Sequence, residues 1–222
     1  MLMIKAVVFD FDGLIMDTET FEYYSFRDLL QDYGLELPFQ LYSSRIGGHV
    51  DSFDPYRYLQ ERCAEPLDRE LLRELRREKF AALFANEHAR PGVEDYLCEA
   101  KEAGLLIGLA SSAPKDWVVP LLDKLRLTSY FGCIRTFENA TRVKPDPELY
   151  LQVLQFFDIA PQEAVAFEDS PNGALAAKRA GMRCVIVPNE LTRGLTFPEV
   201  DLRLNSMRDL SLNTMIRLLE QA

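Results

Sequence analysis

The sequence predicts an α/β fold: a parallel sheet covered by helices on both faces, with an all-helical segment inserted after the first strand. Three observations carry this. The chain opens on an apolar run, Ile4 to Phe9, that lacks polar alternation and stops at Asp10-Phe11-Asp12-Gly13. From residue 91 onward, short apolar runs take turns with longer amphipathic stretches, as expected for strands buried on both faces and joined by helices. Between these two regions, residues 14–90 read as helix and loop, with no run that resembles a strand.

In chain order, the insertion is expected to hold helices at Phe21 to Tyr33, around Leu41, at Tyr56 to Cys63 and at Asp68 to Phe84. Within the last of these, RELLRELRREK (69–79) interleaves arginine and glutamate at helical spacing, which predicts a solvated helix face. Pro91-Gly92 introduces a helix through Ala103 that Gly104 closes as a C-terminal cap. LLIGLA (105–110) reads as a buried strand. A helical stretch from Lys115 to Leu125 contains Pro120, which should kink or shorten it. A short strand follows at Cys133 to Thr136, then a helix opened by Asp146 as cap and Pro147 in its first turn. AVAF (164–167) and CVIV (184–187) are further strands, separated by a helix that begins at Ser170-Pro171 and ends at Gly181.

Composition narrows the chemistry. Of 222 residues, 48% are hydrophobic, enough for a large buried core, and the net charge of −10 argues against a nucleic-acid or anionic-membrane partner. No stretch approaches the roughly 18 apolar residues of a membrane span. The opening run is only a strand's length and ends in acid, which is not a signal peptide. The expected setting is therefore soluble and cytoplasmic. The cysteines Cys63, Cys98, Cys133 and Cys184 form no CxxC pair, which predicts reduced, mostly buried thiols. With only two histidines, His49 and His88, a histidine metal site is excluded and a Ser-His-Asp triad has little room. Chemistry must run on carboxylates, a lysine and a hydroxyl.

In an open parallel sheet, ligands bind outside the carboxyl ends of the strands. Four successive strand ends carry Asp10 and Asp12, then Ser111-Ser112, then Lys144, then Glu168-Asp169. Strand periodicity places Asp10 and Asp12 on one face, where two like charges repel by about 4 kcal/mol at an effective dielectric of 20. A cation must offset that. Each residue type also has a task in phosphoryl transfer: a carboxylate to attack phosphorus, a second to move the leaving group's proton, acids for Mg²⁺, and a hydroxyl with a lysine for the phosphoryl oxygens. Singly, each has an ordinary structural use; in this order, each after an apolar run, they point to one shared site.

These segments resemble the haloacid dehalogenase-like hydrolase superfamily, in the helical-cap branch that includes β-phosphoglucomutase and phosphoglycolate phosphatase. The resemblance rests on DFDGLIMDTE (10–19), on LLIGLASS ending in Ser111-Ser112, on Lys144 in VKPDPELY, and on FEDSPNGALAAKRAGM (167–182). It implies a Rossmann-like core formed by residues 1–15 and 91–222, with a cap domain at 16–90. It further implies Asp10 as nucleophile, Asp12 as acid and base, and Ser111 and Lys144 as phosphoryl ligands. Mg²⁺ would be held by the Asp10 carboxylate, the Asp12 backbone carbonyl and Asp169, with Glu168 assisting.

Two departures bear on the reaction. Asp12 argues against carbon–halogen chemistry, because the family's dehalogenases lack that second aspartate. Glu22 stands where the mutase places a histidine, and the turn IGGHVDSF (46–53) offers no arginine after its glycines. The expected activity is thus Mg²⁺-dependent hydrolysis of a small phosphate monoester of a sugar or nucleoside. A phosphosugar mutase is the alternative within the family, and a phospho-accepting or regulatory domain the alternative outside it.

Overall fold

The computed structural model describes residues 3–43, 46 and 53–221. The chain begins with strand β1 (Ala6–Phe9) and leaves the sheet for four helices, α1 (Thr18–Asp32), α2 (Phe39–Ser43), α3 (Pro55–Gln60) and α4 (Arg69–Phe84). It returns through α5 (Val93–Glu102) to β2 (Leu106–Ala110), α6 (Lys115–Leu125), β3 (Cys133–Arg135), α7 (Glu148–Phe157), β4 (Ala164–Glu168), α8 (Pro171–Arg179) and β5 (Arg183–Ile186). A two-residue strand β6 (Leu202–Arg203) and helix α9 (Leu212–Gln221) complete it. The six strands are parallel, in the order β3-β2-β1-β4-β5-β6, so β1 lies between β2 and β4.

The non-alternating strands are explained by where successive residues go. Val7 and Phe9 pack with Ile107, Leu109, Val165 and Phe167 against Val93, Leu97, Val118 and Met215 of α5, α6 and α9. Ala6, Val8, Ala164 and Ala166 face the other way, onto Tyr150, Val153, Ala174 and Ala177 of α7 and α8. Both faces of the pleat are dry, so both sets must be apolar. Phe9 stacks on Phe167 at 4.9 Å. Burial of such a side chain contributes about 1.5–3 kcal/mol. The inserted helices have a core of their own around Phe26, Leu29, Leu30, Tyr42, Leu59 and Leu72. Where the chain enters and leaves the insertion, the Arg90 N–H donates to the Ile15 carbonyl at 2.8 Å, so the two connections run side by side.

Several expectations need correction. Helix α6 is not shortened at Pro120 and runs the full length from Lys115 to Leu125. Pro120 and Asp116 are exposed, so water can satisfy the Asp116 carbonyl that the proline leaves without a donor. Helix α7 starts at Glu148 with Pro147 in the cap position, while Asp146 Oδ1 accepts from the Glu148 N–H at 3.1 Å. All four cysteines are free, Cys133 and Cys184 buried as expected, Cys63 half-buried and Cys98 exposed. Beyond Val187 the sequence pattern fades, yet Leu212, Met215 and Leu219 seat α9 against the sheet. No helix among the described residues is long and apolar enough to cross a membrane.

Candidate active site

Strand β1 ends at Phe9, one residue before the first carboxylate. The Asp10 N–H still donates to the Phe167 carbonyl at 3.0 Å, which holds Asp10 at the strand mouth. Residues 11–16 then turn sharply: the Gly13 N–H donates to the Met16 carbonyl at 2.6 Å, and Gly13 takes a φ of +79°. A Cβ at Gly13 would lie 2.1 Å from Asp169 Oδ2, so glycine is needed for both the turn and the close approach. The two aspartates are thus brought to one place by a turn, where the sequence suggested a strand pleat.

Lys144 is the hub. Its Nζ donates to Asp10 Oδ1 at 2.5 Å and to Glu168 Oε1 at 2.6 Å, with 6% of its side chain exposed. Tyr150 donates to the same Glu168 oxygen at 2.5 Å. Asp169 Oδ2 accepts from Asn189 Nδ2 at 2.9 Å, and Asn189 Oδ1 in turn accepts from the backbone of Leu191 and Thr192 at 2.9 Å each. Arg90 donates to the carbonyls of Gly13, Val187 and Pro188, fastening the loop after β1 to the loop after β5. Asp12 Oδ1 accepts twice, from the Thr18 hydroxyl at 2.7 Å and from the Trp117 indole N–H at 2.9 Å.

The electrostatics are those of an over-acidic pocket. Burial pushes the Asp10 carboxyl up to about 8 despite the opposing Lys144, with Glu168 and Asp12 adding to the rise. Asp169 and Glu19 are pushed well up, first by burial and then by neighbouring carboxylates. Burial would lower Lys144, but Asp10 and Glu168 hold its ammonium above the usual lysine range. One lysine cannot balance these acids. Asp10, Glu168 and Asp169 each offer an oxygen within 4.8 Å of the others, and Glu168 Oε2 is buried with no hydrogen-bond partner. An all-oxygen donor set with a residual negative charge suits a hard divalent cation.

Asp10, Asp12, Ser111, Lys144 and Asp169 line one cavity of about 290 Å³, together with Glu19 and Glu22. Glu168 does not line it: its side chain is fully buried behind Lys144. Ser111 hangs from the end of β2, its N–H donating to the Arg135 carbonyl at 2.9 Å and its Oγ accepting from the Ala113 N–H at 3.0 Å. The cavity opens into a second compartment of about 650 Å³, with walls that include Glu22, Arg76, Arg77, Phe80 and Trp117. Arg76 and Arg77 belong to the stretch expected to be a solvated face; Arg77 is exposed as expected, whereas Arg76 is half-buried. Sequence reasoning also assigned no part to Thr18, Trp117, Tyr150 or Asn189, which lie outside the strand ends. His49 and most of the turn at 46–53 lie outside the described residues.

Residues 7–187 match the haloacid dehalogenase-like hydrolase model. The chain belongs to that family. Among its relatives is YhcW of Bacillus subtilis (strain 168), 47% identical over 214 residues that cover 96% of this chain and 97% of YhcW. The phosphorylated carbohydrates phosphatase of Thermotoga maritima is 31% identical over 180 residues, covering 80% of this chain and 82% of that one. CbbY from Rhodobacter sphaeroides, solved in complex with phosphate, superposes with a TM-score of 0.71 at 29% identity, covering 94% of this chain and 96% of the other. As a haloacid dehalogenase-like hydrolase, the chain has the expected parallel core, with the helical insertion following its first strand.

Proposed function

We propose that this hydrolase cleaves a small phosphate monoester through an aspartyl-phosphate on Asp10. The observation that carries the reading is that Asp10, Asp12, Ser111 and Lys144, from three separate segments of the chain, line one cavity. Its volume of about 290 Å³ suits a phosphoryl group, and the adjoining compartment suits the rest of a small ester. In this reading residues 1–15 and 91–222 are the catalytic core, and 16–90 form a cap that supplies Glu22, Arg76, Arg77 and Phe80 to that compartment.

An Asp10 oxygen forms a bond to phosphorus as the P–O ester bond breaks. The bonding pair passes to the ester oxygen, which takes a proton from Asp12 and leaves as an alcohol. Asp12, now a carboxylate, accepts a proton from a water whose oxygen attacks phosphorus, and the P–O bond to Asp10 breaks to restore the free carboxylate. Lys144 and the Ser111 hydroxyl hold the phosphoryl oxygens through both steps. Asp10, Asp169 and the Asp12 carbonyl, with Glu168 behind, would hold Mg²⁺, which would supply positive charge against that of a phosphate dianion. The Thermotoga relative named for phosphorylated carbohydrates supports a sugar phosphate, with nucleoside monophosphates the second class to test. Four free cysteines suit a cytoplasmic enzyme.

The test is a screen of sugar phosphates, nucleoside monophosphates and phosphoglycolate with Mg²⁺ present, repeated in excess chelator and with Asp10→Asn. Turnover should vanish in both controls while the variant keeps its far-UV circular dichroism. Full activity of Asp10→Asn would overturn the mechanism.

A further inference from the structure

We propose that Trp117 is a positioning residue: its indole N–H aims Asp12 at the oxygen of the leaving group. The inference rests on the acid role of Asp12 proposed above. Two donors, Trp117 and Thr18, converge on Asp12 Oδ1, at 2.9 and 2.7 Å. Neither is needed to hold the turn, which is closed by its own backbone hydrogen bonds. With Oδ1 accepting twice, the proton that Asp12 delivers resides on Oδ2, which accepts no hydrogen bond given for the described residues. The plane of the carboxyl group is then set by where the indole stands.

The indole stands at a junction. Trp117 comes from α6 of the sheet layer, whereas Phe80 and Phe84 come from α4 of the insertion, and its ring meets theirs at 5.9 and 6.3 Å, nearly parallel to Phe84. Thr18 starts α1, also in the insertion. Trp117 and Phe80 both line the compartment for the ester's alcohol part. One side chain therefore touches the acid by its edge while bordering the space that the leaving group occupies. Seating of the inserted helices, contact with the alcohol and orientation of the proton donor become linked through a single ring.

In the step concerned, the P–O ester bond breaks and the proton on Asp12 Oδ2 passes to the departing oxygen. An alkyl alcohol needs that proton; p-nitrophenolate leaves without it. The readout is the ratio of kcat/KM for a simple alkyl phosphate to kcat/KM for p-nitrophenyl phosphate, because kcat/KM reports events up to departure of the alcohol. Trp117 is the only tryptophan in the chain, so biosynthetic replacement of tryptophan by benzothienylalanine deletes this N–H and keeps the ring's shape. Trp117→Phe serves as the second variant. The ratio should fall roughly tenfold in both, the scale of one lost hydrogen bond to a carboxylate. Equal losses on the two esters would show that Trp117 only packs the wall and would overturn the proposal. Asp12→Asn separates the two readings. If its ratio also stays unchanged, the acid role of Asp12 fails. If its ratio collapses while the benzothienyl protein keeps the native ratio, the assignment of Trp117 fails alone.

Discussion

Gly173 lies directly against the Glu168 carboxylate: a Cβ built on it would fall 1.9 Å from Oε2. Ser170 caps α8 by accepting from the Gly173 N–H at 3.2 Å, which fixes the first turn over that carboxylate. Glu168 in turn receives Lys144 and Tyr150, so the helix start, the buried acid and the lysine form one stack. Gly173→Ala should push Glu168 off Lys144 and cost about 1–3 kcal/mol, as overpacking does elsewhere. Turnover should fall by a larger factor than stability. A variant with native melting temperature and native kcat would contradict this packing.

The acids outnumber their cations, and this makes a prediction without any assay of activity. Mg²⁺ added to the folded protein should raise its melting temperature in a saturable way, by RT ln(1 + [Mg²⁺]/Kd). Asp169→Asn should abolish most of that rise, because Asp169 supplies one of the three clustered oxygens. Na⁺ at matched ionic strength should not reproduce it. A melting temperature indifferent to Mg²⁺ would leave the metal assignment without support.

Glu22 stands in both compartments, with Arg76 Nη1 3.7 Å from its Oε1. A mutase must protect its phosphoenzyme from water until a sugar bisphosphate turns around, and an acid beside Asp10, Asp12 and Glu19 is poorly suited to clamp that second phosphate. With β-glucose 1-phosphate and a trace of the 1,6-bisphosphate, free phosphate should appear without a build-up of glucose 6-phosphate. Accumulation of glucose 6-phosphate ahead of phosphate would establish the mutase reading instead.

Away from the site, Asp201 Oδ2 accepts from Lys178 Nζ and from the Cys184 N–H, each at 2.7 Å, where β5 hands over to β6. Burial would raise this carboxyl, but those donors hold it below its ordinary value. A depressed folded pKa means that the stabilisation is complete above the unfolded pKa of about 3.9 and is lost as pH falls through the lower, folded value. Asp201→Asn should therefore lower the melting temperature at pH 7, by the equivalent of less than ~1 kcal/mol for so exposed an ion pair. The gap to the native protein should close on acidification below about pH 4. A gap that is constant with pH would mean that the ion pair contributes nothing.

The parallel core was legible because strands buried on both faces cannot alternate: Val7 and Val8 point to opposite layers, and both must be apolar. The strand ends were equally legible for Asp10, Ser111 and Glu168, which stand at the ends of such runs; Lys144 reaches the same edge from the loop before α7, well beyond the end of β3 at Arg135. Glu19 was within reach too, as the last residue of the DFDGLIMDTE motif, seven residues past Asp12. Helix α9 was not, because its apolar residues acquire meaning only against the sheet they cover.

The chain's order of apolar runs determined by itself the layers, the insertion and which acids meet at the sheet edge, because burial and pleat are properties of consecutive residues. Tertiary structure alone decided the rest. Glu168 withdrew behind Lys144, Arg76 turned from an expected solvent face into a half-buried cavity wall, and Trp117 reached Asp12 across 105 positions of sequence. Those outcomes depend on how separate helices settle against one another, and no local period in the sequence encodes the distance between side chains carried by different elements.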